Sequence, residues 1–296
     1  MPRLLIVDGH AYAYRAFYAI RDLRGPGGQP TNAIFGFVKM VTRLERVAQP
    51  THRVVIWDGG LAAERLTALP EYKAQRPPMP PALQGQLDEI VAWLQAAAIP
   101  SWRRPGVEAD DWIGALACRA AADGWSVVIA SSDKDFMQLV SERIGLINPN
   151  DPSETVWTPE QVRDKTGVEP DQIVDWLSLV GDSVDNIPGV PGVGVKTAAR
   201  LLRQFGSVDA LYGRLADVEP ARLRAALEQA AELVRRNRDL VRLRVAGPVE
   251  FEPSALAVRA ADTAALRALY ERWGFRSLAA ALSPRPQVQG ALFEGA

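Results

Sequence analysis

Aspartates stand where parallel strands would end: Asp8 after LLIV, Asp58 after RVVIW and Asp133 after SVVIASS, with Glu108, Asp110, Asp111 and Asp135 close by in sequence. Gathered to roughly 4 Å at an effective dielectric of about 20, each pair of carboxylates repels by about 4 kcal/mol, so a fold that collects several must protonate them or bind cations. Divalent cations are the simpler answer. Any one acid after a strand also reads as a turn former or a helix cap; three from three strands point to a site. Oxygen-only ligands favour Mg²⁺ or Mn²⁺, and with His10 and His52 the only histidines and Cys118 the only cysteine, zinc is disfavoured. Two such ions can activate a water and stabilise the leaving oxygen of a phosphodiester without a histidine base.

The elements that must position these acids follow from the hydrophobic pattern. Strand signals LLIVD, RVVIWD and SVVIAS alternate with helical stretches near 32–48, 81–97 and 108–123, the pattern of an α/β fold with a parallel sheet covered by helices. Ligands of such sheets collect outside the carboxyl ends of the strands, where Asp8, Asp58 and Asp133 fall. In EADDWIGALA, Asp110 lies three and seven residues before Ile113 and Ala117 and shares their inward side. Glu108 and Asp111 can reach the same cleft, or simply favour the positive end of the helix dipole. Asp133 and Asp135, one residue apart, can both turn toward one cation where the strand ends in a loop.

Beyond about residue 158 the chain reads as successive helices, including one long helix over ARLRAALEQAAELVRRNRDLVRLR. The expected organisation is an α/β domain over 1–168, a helical domain over 169–282 and a poorly ordered tail, 283–296. With 296 residues, 48% of them hydrophobic, the chain can bury a substantial core. MPRLLIVDG is too short for a signal-peptide core or a membrane span, so a cytoplasmic protein is expected. Cys118 on an apolar helix side reads as core packing. The net charge of −1 hides a division: with nine clustered acids set aside (the seven above plus Asp182 and Asp185), 26 acids face 34 lysines and arginines. An acidic pit in a basic surface suits a polyanion.

GVPGVGVKTAARLL is not a Walker phosphate loop, because Val195 separates Gly194 from Lys196 and no strand precedes it. It reads instead as a glycine hairpin between helices, with Gly192, Gly194, Lys196 and Thr197 placed to bind a phosphate without reading sequence, or else as a glycine turn that holds no ligand. LPEYKAQRPPMPP, with Arg65 before it, looks like a mobile, phosphate-facing segment in which Tyr72 stacks on a base and Lys73 and Arg76 pair with phosphate, or else a solvated basic loop. Tyr14 and Arg15 are similar candidates, with Tyr14 alternatively packing under the sheet.

VDGHAYAYRAF, GQPTNAIFGF, YKAQRPPMP, GVEADD, SSDKD and GDSVDNIPGVPGVGVKTA, in this order, resemble the 5′ nuclease (flap endonuclease) superfamily, most closely the 5′ to 3′ exonuclease domain of bacterial DNA polymerase I. The resemblance implies a PIN-like core, a helical arch at about 61–90, a helix-three-turn-helix element, and hydrolysis of DNA near 5′ flaps, overhangs or nicks. It assigns Asp8, Asp58, Glu108, Asp110 and Asp111 to a first metal neighbourhood and Asp133, Asp135, Asp182 and Asp185 to a second. It counts Lys73, Arg76, Asp110 and Asp133 as catalytic. It further implies two Mg²⁺ or Mn²⁺ ions, a third transiently, K⁺ at the hairpin, a nucleoid-associated monomer and partnership with a DNA polymerase. The chain departs from the family in GGLAAER, which keeps Arg65 but lacks a lysine, and at Asn32, where glycine is usual and a changed duplex-facing turn is expected. With no polymerase sequence following, it reads as a stand-alone nuclease or an excised domain. The alternatives are a non-catalytic junction binder, a PIN-type ribonuclease and, least favoured, an aspartyl phosphatase, since DGH lacks a second aspartate.

Overall fold

The computed structural model describes residues 1–151, 153, 155–246 and 251–282; the expected flexible tail lies outside them. Five strands, β1 (Arg3–Asp8), β2 (His52–Trp57), β3 (Ser101–Arg103), β4 (Ser126–Ala130) and β5 (Ile144–Ile147), form one parallel sheet in the order β3-β2-β1-β4-β5. The runs LLIV, VVIW and VVIA lack polar alternation because both faces of the sheet are covered. Leu4, Ile6, Val54, Ile56, Val127 and Ile129 face one layer, and Leu5, Val7, Val55, Trp57 and Ala130 the other. The second layer holds α1 (Gly9–Ala19), α2 (Asn32–Ala48) and, beyond the six-residue α3 (Ala63–Ala68), α4 (Pro81–Ala96); the first holds α5 (Ala109–Ala122).

β3 and β5 carried no clear signal in the sequence. SWR is only three residues long, and Gly145 interrupts the apolar pattern of β5 because a Cβ there would meet Val156 Cγ1 at 2.3 Å. Asn32 is buried at the start of α2, where its amide donates to the carbonyls of Phe17 and Ile20 at 2.9 and 2.8 Å and caps the end of α1.

The helical half comprises α6 (Pro159–Thr166), α7 (Ile173–Val180), α8 (Val195–Phe205), α9 (Val208–Gly213), α10 (Ala221–Gln229), α11 (Ala231–Val241), α12 (Pro253–Leu256), α13 (Thr263–Trp273) and α14 (Arg276–Ala281). The single long helix expected over 221–244 is two, broken at Ala230 (φ −94°, ψ 9°), with no glycine or proline to announce the break. One apolar cluster runs from the sheet through Trp176, Leu177, Leu202 and Leu240, so the two halves share a core. The expected helical domain of 169–282 is divided in its packing: α13 and α14 cross to the opposite face of the sheet, beside α4. There Trp93 Nε1 donates to Tyr270 Oη and Trp273 Nε1 to Glu89, each at 2.9 Å.

Candidate functional site

The strand order reverses at β1, whose neighbours are β2 on one side and β4 on the other, and this opens a crevice at the carboxyl edge of the sheet. Asp8 ends β1 and caps α1, accepting from Ala11 N at 3.0 Å through Oδ1 and from Ser131 Oγ at 2.8 Å through Oδ2. The second bond spans the crevice to the end of β4. Asp133 follows there and caps the 3₁₀ turn Lys134–Leu139 by accepting from Asp135 N at 2.9 Å. Asp58 follows β2, its backbone N–H donating to His10 Nδ1 at 3.1 Å, and Asp110 enters from the first turn of α5.

The helical half contributes Asp182 and Asp185 from a loop closed by reciprocal backbone bonds between Asp182 and Ile187, at 2.8 and 2.7 Å. Gly181 permits that loop: its φ is +78°, and a Cβ would sit 2.4 Å from Gly189 N. Together Asp8, Asp58, Asp110, Asp133, Asp182 and Asp185 line a cleft of about 430 Å³.

Burial and mutual repulsion dominate its electrostatics. Burial, with the charges of Asp133 and Asp58, raises the Asp8 carboxyl to about 6. Burial likewise raises Asp110 to about 7 against the pull of Lys73, and raises Asp133 to about 7 with the help of the Asp110 charge. Asp135 is pushed well above the carboxylate range by burial and by Asp133. Lys73 enters this cluster from below: Nζ lies 2.7 Å from Glu108 Oε2, 3.7 Å from Asp110 Oδ2 and 3.8 Å from Asp185 Oδ2. Arg76 Nη2 meets Asp185 Oδ1 at 2.5 Å and Lys134 Nζ meets Asp182 Oδ1 at 3.0 Å.

The segment carrying Tyr72 and Lys73 is thus folded inward rather than held out toward a phosphate. Tyr72 and Lys73 are buried, Lys73 as counter-charge to Glu108 and Tyr72 with its Oη within 3.3 Å of both Glu108 and Asp185. Arg65, expected to face phosphate, is 3% exposed and occupied by Glu108 and Asp111. Asp111, grouped by the family resemblance with the first metal neighbourhood, takes both Arg65 Nη atoms at 2.9 and 2.8 Å and is not among the cleft-lining residues. Glu108 is also buried beneath the cleft; burial opposes its charge, but Lys73 and Arg65 prevail and hold its carboxyl below the usual range.

Tyr14 lines the cleft and stacks on Tyr18, with ring centroids 6.4 Å apart, while Arg15 is exposed and outside it. In the hairpin, Gly192 (φ +80°), Gly194 and Lys196 are exposed at the start of α8, with Thr197 half-buried. His10, Ser131 and Lys134 were not singled out from the sequence. An imidazole two residues after Asp8 and a lysine inside SSDKD were the available signals; Ser131 had none apart from its place at a strand end.

Among the described residues no three acidic, histidine or cysteine side chains stand close enough to enclose an ion as they are. Lys73, Arg76 and Lys134 lie among the carboxylates and offset the charge of Glu108, Asp110, Asp182 and Asp185, while Asp8, Asp58, Asp133 and Asp135 have no cationic side chain as partner among the described ion pairs. The donor set nevertheless fits hard divalent cations: it is carboxylate oxygen, and Asp135 Oδ1 is buried with no hydrogen-bond partner.

Comparison with known proteins agrees in both halves. The family model described as 5′-3′ exonuclease, N-terminal resolvase-like domain, matches residues 3–167, and that described as 5′-3′ exonuclease, C-terminal SAM fold, matches 168–264. The 5′-3′ exonuclease of Aquifex aeolicus is 44% identical over 209 residues, covering 71% of this chain and 72% of that protein. DNA polymerase I of Bacillus caldotenax is 38% identical over 281 residues, 93% of this chain but 32% of the relative, so the chain spans about a third of that polymerase's length. Among solved structures, the T5 5′-exonuclease with bound zinc superposes with a TM-score of 0.68 at 23% identity, over 95% of this chain and 98% of that one. The bacteriophage T5 flap endonuclease in complex with DNA and metal ions gives 0.68 at 22% identity, over 95% and 97%. At these identities the structural likeness establishes the fold, and the sequence matches establish the lineage: the chain belongs to the 5′-3′ exonuclease family.

Proposed function

We propose that the protein is a divalent-metal-dependent, structure-specific 5′ nuclease that hydrolyses DNA phosphodiesters near the junction of duplex and a 5′ flap, overhang or nick, leaving a 5′-phosphate. The observation that carries this reading is the convergence of six carboxylates from three strand ends, α5 and the 181–187 loop on one cleft, with Asp135 Oδ1 unpartnered beside them. Asp8, Asp58, Asp110 and Asp133, with Asp135, Asp182 and Asp185, would hold two Mg²⁺ or Mn²⁺ ions. Glu108 would join them once Lys73 is withdrawn. When bound, the ions supply water activation and stabilise the charge on the leaving oxygen.

The chain's own residues do the rest. Ser131 and Ala11 N hold both oxygens of Asp8 across the crevice, and the His10 bond to Asp58 N fixes the turn after β2. Lys73 and Arg76, neutralised here by Glu108 and Asp185, are free to pair with a phosphodiester once cations take over those acids. The Tyr14–Tyr18 pair offers an aromatic face at the cleft. The hairpin around Gly192, Gly194, Lys196 and Thr197 grips the duplex backbone, with K⁺ bound to its carbonyls. We assign the α/β part to 1–168, an arch to about 61–90, and a monomer working beside a DNA polymerase at the nucleoid. Among the described residues no helix is long and apolar enough to cross a membrane.

A 5′-flap substrate labelled at its 5′ end tests the reading. Cleavage near the junction should appear with Mg²⁺ or Mn²⁺ and vanish with chelator. Junction binding without cleavage under all three conditions would leave a binding module, and preference for an RNA flap over DNA would point to a ribonuclease.

A further inference from the structure

Arg65 has the setting of a structural keystone. Its side chain is 3% exposed, and all three guanidinium nitrogens hold hydrogen-bond partners. Nε donates to Leu240 O at 3.1 Å, Nη1 to Asp111 Oδ2 at 2.9 Å, and Nη2 to Asp111 Oδ1 at 2.8 Å and Arg242 O at 3.3 Å, while Nη1 forms an ion pair with Glu108 Oε1 at 3.1 Å. Arg244 closes the circle, its N–H donating to Asp111 Oδ1 at 2.9 Å while its guanidinium meets Glu64 Oε2 at 2.9 Å.

These partners come from two places. Glu108 and Asp111 flank Asp110 in the turn that opens α5, whereas Leu240 lies in the last turn of α11, which packs on α7, and Arg242 and Arg244 follow it. The chain leaves α7 directly into the loop bearing Asp182 and Asp185. One guanidinium therefore registers the acid-bearing turn of the α/β half against the helices that carry the acids of the other half. α3 is only six residues long, too short to hold position by its own hydrogen bonds, so the bonds made by Arg65 anchor it as well.

We infer that Arg65 is a positioning residue that sets the spacing between the two acid groups and makes no contact with nucleic acid. The inference rests on the metal-nuclease reading above. A guanidinium matches a carboxylate with two parallel N–H bonds and reaches two carbonyls besides; a lysine in its place keeps the charge but not the fork.

The decisive variant is Arg65→Lys, because alanine would strand buried carboxylates. Folding is checked by thermal denaturation, Mn²⁺ affinity by electron paramagnetic resonance, and junction affinity by fluorescence anisotropy in chelator across a salt series. Expected are a loss of Mn²⁺ affinity of about tenfold, a fall in kcat of similar size, and a KM and salt slope like the wild type's. An unchanged Mn²⁺ affinity with a salt slope reduced by about one contact overturns the inference and makes Arg65 a phosphate ligand. Nitrogen NMR of arginine side chains in the wild type gives an arm independent of variant folding. The Arg65 Nε–H should exchange slowly and keep its shift when DNA is added; a DNA-induced shift with rapid exchange overturns the inference. A wild type that binds no Mn²⁺ defeats the nuclease reading and this inference together, whereas a wild type that binds it no better than Arg65→Lys defeats the positioning role alone.

Discussion

Glu108, Asp110 and Asp111 lie within four consecutive residues, yet the structure divides them between two electrostatic regimes. Asp110 faces the cleft, where burial and neighbouring carboxylates raise its carboxyl to about 7. Glu108, nearly inaccessible beneath the cleft, is held below the usual range because Lys73 and Arg65 outweigh its burial, and Asp111 is clasped by Arg65. Burial alone does not decide the charge of an acid; the sign of what is buried with it does. The cleft side stores repulsion that a cation can relieve, while the Arg65 side is already neutral and contributes rigidity.

The largest expected effect tests the cleft side. Asp133→Asn should lower flap cleavage by at least about 10³-fold, the loss of some 4 kcal/mol of transition-state stabilisation. Junction binding should persist and the melting temperature should hold or rise, since a carboxylate held in its unfavourable environment has been neutralised. Near-normal turnover would contradict the metal role. On the other side the signs should reverse: Asp111→Ala leaves Arg65 buried without its main partner and should cost about 3 kcal/mol in thermal or denaturant unfolding. If Asp111→Asn destroyed turnover as completely as Asp110→Asn at unchanged stability, the division between the two sides would collapse.

Lys73 stands between the regimes. Lys73→Ala should slow single-turnover cleavage by about a hundredfold, the scale of a lost donor to developing charge, with junction affinity reduced far less. Unchanged single-turnover rates would sink the argument for a phosphate role. Ser131→Ala removes the hydroxyl that ties Asp8 to β4 and should cost about 1 kcal/mol of stability, with a modest rise in the Mn²⁺ concentration needed for cleavage. A variant indistinguishable from wild type in both would mean that Asp8 is held by Ala11 N alone. Smallest of all, Lys196→Ala should weaken junction binding a few-fold and lower the salt slope by about one without altering single-turnover rates. A collapse of the rate would place the hairpin in the chemistry rather than in the grip on duplex.

The strand-end acids were legible because an apolar run followed by aspartate is a local pattern, and parallel strands put their carboxyl ends on one edge by topology. Asp110 was legible from helical spacing. Asp182 and Asp185 were visible only through the family resemblance, since an acidic turn between helices looks like any solvated loop. β3, β5 and the break at Ala230 were missed for lack of length or of a residue that marks them.

By itself the sequence determined the alternating α/β half, the helical half, the carboxylate chemistry and the lineage, all of which rest on short-range periodicity or on contiguous motifs. Only the tertiary structure decided which cations belong to which acids. Arg65 and Lys73 looked like one basic, phosphate-facing segment, but long flexible side chains go where uncompensated charge is buried, and that place is made by elements up to 177 residues away along the chain. Pairings at such distances depend on how the two halves pack, and no local pattern records them.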